Sequence, residues 1–406
     1  MKKFNKFTRL AAAIAISCSM FPAAGITASA VMIYGDVDGS GNVTAIDASL
    51  LLRHVVGAET LNGGAFQAAD VDGDGTVSSI DASMILRKAV GAIEKFPAEN
   101  TSDRSETYEN GYRLSNPNAD ANARKLYDYI NDNYGKVMIT CQQESTWMGS
   151  PDYEMDYILK TTGKYPAMRG LDFMNGDFDG VVQRSKEWHE KGGIVTICWH
   201  TGVNGLGYQE SLGDTPDFTR LLTEGTDEYN AMIENWDKGA KALQELRDAG
   251  IPVLWRPFHE FDGQWFWWGK GGADNFIKLW QMMYDRYTNE FELNNLIWVL
   301  GYSGEVKDGW YPGNDYCDII GSDTYDNSTH AAGWRKLDAM NTGKPLAFHE
   351  CGKMRRIENF EADGAMWSWF MIWHTNYITD NNPKMLEYVY NHEKAITLDE
   401  LPDIYA

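Results

Sequence analysis

The sequence predicts an α/β chain in which a (β/α)8 barrel follows a small all-α module. Three observations carry that expectation. From residue 136 onward, eight apolar runs of strand length alternate with helical patterns, within a stretch of roughly 280 residues, the rhythm of a closed parallel barrel. Polar side chains collect at the C-terminal ends of those runs, the face on which such barrels do chemistry. Ahead of them a 24-residue unit occurs twice, offset by 34 residues. The chain therefore divides into a leader (1–30), a repeat module (31–95), a polar linker (96–122) and the barrel (123–406).

The runs are KVMITCQQ from 136, YPAMRGLDF from 165, IVTICWH from 194, PVLWRPFHE from 252, LIWVLGYS from 296, CDIIGSDTYD from 317, PLAFHECG from 345 and WSWFMIWHT from 367. Between them, residues 227–249 set Met232, Trp236, Ala240, Leu243 and Leu246 at helical spacing. Residues 275–287 and a segment opening near Asp120 read as helices too. A doubly wound sheet shares the alternation, but no G-x-G-x-x-G follows the first run. Gln142, Asp172, His200, Glu260, Tyr325, Glu350 and His374 all fall at run ends, as a barrel demands.

Of 406 residues, 58 are acidic and 36 basic, and the formal charge of -22 excludes a binder of nucleic-acid phosphates. Aromatic residues make up 13%, a stock of flat apolar faces that suits sugars as well as cores. Lys2, Lys3, Lys6 and Arg9 precede an apolar run from Leu10 to Ile16, and Ala28-Ser29-Ala30 supplies a small-residue exit. This is the pattern of a secretory signal peptide, so a secreted, extracellular protein is expected. Ala15-Ile16-Ser17 before Cys18 is a poor lipobox, which argues against lipidation. No later stretch reaches the roughly 20 apolar residues of a membrane span, so no membrane insertion is expected. Cys141, Cys198, Cys317 and Cys351 sit in apolar runs without C-x-x-C spacing, as buried thiols do.

The repeat aligns residues 35–58 with 69–92 at 15 of 24 identical positions, too many for a pair of unrelated acidic turns. Asp36, Asp38, Ser40, Asn42, Thr44 and Asp47 fall at loop positions 1, 3, 5, 7, 9 and 12, with Gly41 at the bend. Asp70, Asp72, Asp74, Thr76, Ser78 and Asp81 repeat the set around Gly75. Alternating oxygen donors of this kind wrap a hard cation, so two structural Ca2+ ions are expected, and so small a module is expected to need them to fold. Each loop runs into one helix, expected over residues 50–56 and 84–90 and ended by Gly57 and Gly91. The pattern resembles the type I dockerin, which implies a cohesin domain of a scaffoldin as partner and attachment to a cellulosome. Where many dockerins carry Ser-Thr late in the loop, this chain has Ala45-Ile46 and Ser79-Ile80, so the choice of cohesin stays open.

Glu260 closes WRPFHE and Glu350 closes PLAFHE, each after a stretch too apolar for a solvated surface. A buried carboxylate is costly unless paired, so each is a structural partner of Arg256 or Arg169, or functional. On the fourth and seventh strands the two would face each other across the barrel mouth, where two carboxyls about 5 Å apart can cleave a glycosidic bond with retention. Arg256 shares strand parity with Glu260 and is expected to point inward one layer below it. The loop FDGQWFWWGKGG carries Trp265, Trp267 and Trp268, expected as sugar platforms because glycine-flanked loop tryptophans have little to pack against.

WRPFHEFDGQWFWWG, with AFHECG 90 residues later, resembles glycoside hydrolase family 26 of clan A over about residues 123–395. The resemblance implies a retaining endo-β-1,4-mannanase acting on β-mannan or glucomannan without a catalytic cofactor. By position it implies Glu260 as acid/base and Glu350 as nucleophile. It implies substrate contacts from His200, His259, Asp323, Tyr325 and Trp373, with Trp373 under the reacting sugar, Trp369 as the alternative, and Tyr325 touching the nucleophile. Trp265, Trp268 and Arg256 join them, Arg256 and Tyr325 holding Glu350 ionised while an apolar site keeps Glu260 protonated. His349 and Cys351 match no motif. Mixed-linkage β-1,3-1,4-glucan or β-1,3-xylan is the alternative substrate, since the family contains such members. A non-catalytic carbohydrate-binding barrel is a further reading, opposed by the presence of both glutamates.

Overall fold

The computed structural model describes residues 33–61, 64–71, 77–93, 95–96 and 114–406, in two compact units, Met1–Arg104 and Ser105–Ala406. The expected signal peptide, the ligands Asp72, Asp74 and Thr76 with Gly75, and residues 97–113 lie outside the described residues.

The first unit contains α1 (Ala45–Val55), α2 (Gly64–Ala69) and α3 (Ser79–Ala89). Both repeat helices begin inside the loop rather than at Leu50 and Met84, and α2 between them was not expected. Capping explains the early start. Asp47 accepts the Thr44 backbone N–H at 2.8 Å and its hydroxyl at 2.9 Å while Thr44 caps Ile46, so the end of the ligand loop doubles as the helix cap. Asp81 takes Ser78 in the same way. The other oxygen of Asp47 accepts the Asp38 N–H at 3.0 Å, and Asp36 accepts the N–H groups of Ser40 and Gly41 at 2.9 and 2.8 Å. Carboxylate oxygens of Asp36, Asp38 and Asp47 converge within 4.8 Å of one another, a donor set that fits a hard divalent cation. The unit's own core is small: Val37, Ala48, Leu51, Ala69, Val71, Ala82, Ile85 and Phe96.

In the second unit α4 (Ala121–Asn133) is capped by Asp120, which accepts the Ala123 N–H at 2.8 Å. Eight parallel strands follow: β1 (Met138–Gln143), β2 (Met168–Asp172), β3 (Ile194–Trp199), β4 (Val253–Pro257), β5 (Leu296–Tyr302), β6 (Ile319–Thr324), β7 (Leu346–Cys351) and β8 (Trp369–Ile372). Each strand pairs with the next, and β1 pairs with both β2 and β8, which closes the barrel. Every apolar run of the sequence holds one of these strands. The helices Asp227–Asp248 and Ala273–Asp285 stand where helical spacing puts them, the second ending in a π turn at Arg286–Glu290.

Alternation divides the strand residues between two cores. Ile139, Cys141, Leu254, Ile297, Val299, Ile319, Ala347, Trp369 and Met371 fill the barrel with α4 packed on them, while Trp255, Trp298, Leu300, Ile320, Phe348 and Phe370 pack outward on the helices. Leu114, Ser115 and Asn116, read from the sequence as linker, are buried on this unit. The Ser115 N–H donates to the buried Asp318 carboxylate. All four cysteines from Cys141 onward are buried free thiols. Among the described residues, no helix is long and apolar enough to cross a membrane.

The contrast in core size sets an expected outcome. Chelation with EDTA will unfold the repeat module, seen as loss of helical circular dichroism and rapid proteolysis between residues 33 and 96, while the barrel's melting transition stays in place. Protease resistance of the module without metal would contradict a cation-dependent fold.

Candidate active site

Glu260 and Glu350 reach the barrel mouth by departures from regular strand geometry. Arg256 points into the barrel as expected, but strand parity does not run on to Glu260. Past Pro257, Phe258 and Glu260 both adopt left-handed backbone at φ +51°, a conformation costly for side chains of this size, and they flank His259. The Glu260 N–H donates to the carbonyl of Gly301 on β5 at 2.7 Å, which holds the turn. On β7 the register against β8 shifts between Phe348 and Cys351, so the neighbours His349 and Glu350 both reach the interior.

Glu350 is 2% exposed. The Tyr325 hydroxyl donates to its Oε2 at 2.9 Å. Arg256 Nη1 lies 3.5 Å and His259 Nε2 3.8 Å from Oε1, which has no hydrogen-bond partner among the described residues. Burial, and after it the charge of Glu260, push the Glu350 carboxyl above the usual range, while Arg256 and Tyr325 pull it down. Burial likewise raises Glu260, whose Oε2 accepts the Trp265 indole N–H at 2.9 Å. Asp323, raised by burial and by the charges of Glu350 and Glu260, joins them in one buried carboxyl cluster. Glu350 faces a guanidinium and a phenol; Glu260 has an indole and the Asp323 carboxyl.

A polar layer supports them. Arg256 donates to Thr196 Oγ1 at 2.9 Å, to Gln143 Oε1 at 3.0 Å and to His349 Nε2 at 3.1 Å, and His349 Nδ1 donates to Asp323 at 2.8 Å. Burial and the adjacent Arg256 lower the His349 pKa, so the ring is neutral and relays between cation and carboxyl. Glycine at 301 and 321 makes the layer possible, since a Cβ there would lie 2.6 and 2.7 Å from His349. Arg256 and Asp323, expected as substrate contacts, are as deeply buried as Glu350; Arg256 faces Glu350 and Asp323 hydrogen-bonds Glu260.

His200 is held by Asp172, its Nδ1 at 2.5 Å and its backbone N–H at 3.0 Å from the carboxylate, and its ring meets His259 edge to face at 4.6 Å. Trp373 is half-buried 6.0 Å from His200, whereas Trp369 is sealed in the barrel core. The loop tryptophans separate sharply. Trp265 is 47% exposed, but Trp267 and Trp268 are buried and cannot be sugar platforms. Their indoles donate to the carbonyls of Thr201 and His259 at 2.9 and 2.8 Å, and Phe266 stacks on Trp268 at 4.5 Å. The glycine-flanked loop packs against itself, which local composition could not reveal. Arg169 pairs with Glu144 and Asp152 rather than with either glutamate.

Sequence reasoning missed His349, Gln143 and the clamp of Asp172 on His200. Asp172 left a signal, a carboxyl at a run end; His349 left none beyond its place beside Glu350.

A closed barrel with buried carboxyls from two distant strands among aromatic rings at the C-terminal ends of its strands has the architecture of a glycoside hydrolase. The glycosyl hydrolase family 26 model matches residues 115–400, and the chain belongs to that family. A type I dockerin domain matches residues 34–88. The chain is 35% identical over 315 residues to the mannan endo-1,4-beta-mannosidase of Thermothelomyces thermophilus, a match covering 71% of this chain and 63% of that one. It is 31% identical over 318 residues to mannan endo-1,4-beta-mannosidase B of Piromyces sp, covering 71% and 53%. The chain thus spans between about half and two thirds of these relatives' lengths. Among solved structures, a beta-mannanase from a symbiotic protist of the termite Reticulitermes speratus, complexed with gluco-manno-oligosaccharide, is 32% identical with a TM-score of 0.66, covering 72% of this chain and 98% of that one.

Two substitutions separate the loop tryptophans. Trp268→Ala is expected to cost about 3 to 5 kcal/mol of stability, as large core truncations do, whereas Trp265→Ala will lower activity with little change in melting temperature. Equal melting temperatures for the two variants would contradict this division. Tyr325→Phe removes a hydrogen bond that lowers the Glu350 pKa. The carboxyl then keeps its proton to higher pH, so the acid limb of the kcat/KM profile moves to higher pH; an unmoved limb would exclude Tyr325 as a partner of the ionising group.

Proposed function

We propose that this chain is a secreted, retaining endo-β-1,4-mannanase that hydrolyses β-mannan or glucomannan and docks through its calcium-loaded dockerin to a cohesin domain of a scaffoldin. The observation that carries the catalytic reading is Glu350 Oε1, buried beside Arg256 within the field of Glu260 and without a hydrogen-bond partner among the described residues. Burial and the charge of Glu260 raise the Glu350 carboxyl to about 8, against the pull of Arg256 and Tyr325. Retaining chemistry requires Glu350 charged and the proton on Glu260, the distribution that Arg256 and Tyr325 favour.

In the first step Oε1 of Glu350 bonds to the anomeric carbon as the bond to the leaving oxygen breaks, and Glu260 gives that oxygen its proton. Glu260, now a carboxylate, takes a proton from water, whose oxygen displaces Glu350 and restores both groups. His200, His259 and Trp373 line the sugar's side of this centre, and the Trp265 ring beside Glu260 suits the departing sugar. Support for mannan comes from the curated relatives, both named as mannan endo-1,4-beta-mannosidases. Docking and calcium rest on the type I dockerin match and on the convergent carboxylates of Asp36, Asp38 and Asp47. By sequence, Asp70, Asp72, Asp74, Thr76, Ser78 and Asp81 would serve the second ion.

Konjac glucomannan, lichenan and β-1,3-xylan assayed side by side test the substrate: reducing sugar is expected from the first, and release from lichenan or xylan alone would reassign it. Glu350→Ala is expected to lose turnover by at least about 10⁴-fold with the fold intact. Glu260→Ala will retain activity chiefly on aryl glycosides whose leaving groups need no proton. Wild-type rates in Glu350→Ala would refute the nucleophile.

A further inference from the structure

Beside the two glutamates, three metal-ligating side chains of different kinds converge. Asp172 ends β2 and is the register partner of Cys198 on β3, so the two stand side by side, and His200 follows two residues on along the same face. One ligand atom from each, a carboxylate oxygen, a thiol sulfur and an imidazole nitrogen, lies within 4.8 Å of the other two. All are shielded, Cys198 having no exposed surface and His200 5%. The chemistry above uses the imidazole but gives the thiol no part.

Backbone donors hold the group in place. Asp172 Oδ1 accepts the N–H groups of Met174 and His200 at 2.9 and 3.0 Å, which leaves Oδ2 turned to His200 Nδ1 at 2.5 Å. Burial, and after it the charge of Asp172, push the Cys198 thiol up, so the sulfur keeps its proton until a metal displaces it. Arg256, the register partner of Cys198 on β4, favours the thiolate. A tetrahedral ion sets nitrogen and oxygen ligands about 3.3 Å apart, so the imidazole has to withdraw from Asp172 by about 1 Å. Asp172 also borders a depression with Asn175 and Asp177, an acidic approach for a cation.

Donor chemistry selects the ligand. A thiolate, an imidazole and a carboxylate suit a borderline divalent cation such as Zn2+, whereas Ca2+ and Mg2+ take oxygen. The negative charges of Asp172 and of the Cys198 thiolate neutralise such an ion, which lowers the cost of burying it. Three protein ligands leave the fourth position to water, the arrangement of an open zinc site. We propose that Asp172, Cys198 and His200 form an inhibitory site for Zn2+ or a cation of its class. Each ion bound releases the thiol proton, and its bond to Nδ1 moves the proton of the neutral imidazole to Nε2. His200 then turns an N–H toward the sugar where the unloaded ring offers a lone pair, and catalysis is impaired.

Cobalt reads the site directly, because a Co2+–thiolate bond has a charge-transfer absorption that oxygen and nitrogen ligands do not give. The full chain is titrated with Co2+ in excess Ca2+, which keeps the repeat loops loaded, and Zn2+ is then added as competitor. A thiolate band saturating at a single equivalent is expected for wild type, displaced by Zn2+, and no band for Cys198→Ser or Cys198→Ala. Absence of the band from wild type at saturating Co2+, or its persistence in both variants, would overturn the site, and neither result depends on which glycan is cleaved. On glucomannan, Zn2+ is expected to inhibit the wild type, with the half-inhibiting concentration raised at least about 10-fold in Cys198→Ser, whose activity without Zn2+ stays close to wild type. Equal inhibition of the two would overturn the inhibitory role.

Discussion

A guanidinium sealed inside a barrel governs the arrangement of this site. Arg256 has no exposed surface, and a lone cation there would be strongly destabilising. Its donors are taken by Thr196, Gln143 and His349, and its remaining field falls on Glu350. That field opposes the burial and the Glu260 charge that raise the Glu350 carboxyl. Without it, only the Tyr325 hydroxyl, among the groups that favour the charged form, would act against them.

The Glu260 side is held by different means. Left-handed backbone at Phe258 and Glu260 is unfavourable, and the loop that follows must supply compensating interactions. Trp267 and Trp268 do so by burying large faces and reaching back to the carbonyls of Thr201 and His259. Asp262, also buried, accepts the N–H groups of Ser303 and Lys307 at 2.7 and 3.0 Å, which joins the acid's loop to the loop after β5. Rings that read as ligand contacts are the fasteners that keep a strained turn in place.

What the sequence made legible follows from which physics was local. Strand runs could be read because buried parallel strands are apolar on both faces, and the cation loops because their ligand spacing is fixed by one chain segment. Helix starts in the repeat module could not, since Thr44 and Ser78 are at once loop residues and capping partners. His349 was illegible because strict alternation allows only one of His349 and Glu350 to face inward; the register shift of β7 admits both, and the space comes from glycines on β5 and β6. Trp268 misled for the same reason, its partners being supplied by the folded loop.

The two units also divide their dependence on solvent conditions. The barrel's polar layer is held by direct hydrogen bonds from Arg256 to Thr196, Gln143 and His349 and from His349 to Asp323. The repeat module has few apolar residues to bury and brings the carboxylates of Asp36, Asp38 and Asp47 together, a repulsive arrangement unless a cation neutralises it. Backbone N–H groups from Asp38, Ser40 and Gly41 offset part of that repulsion and orient the oxygens before a metal arrives. Metal affinity and folding of the module are then linked, whereas the barrel's polar layer is ordered by hydrogen bonds around a buried guanidinium.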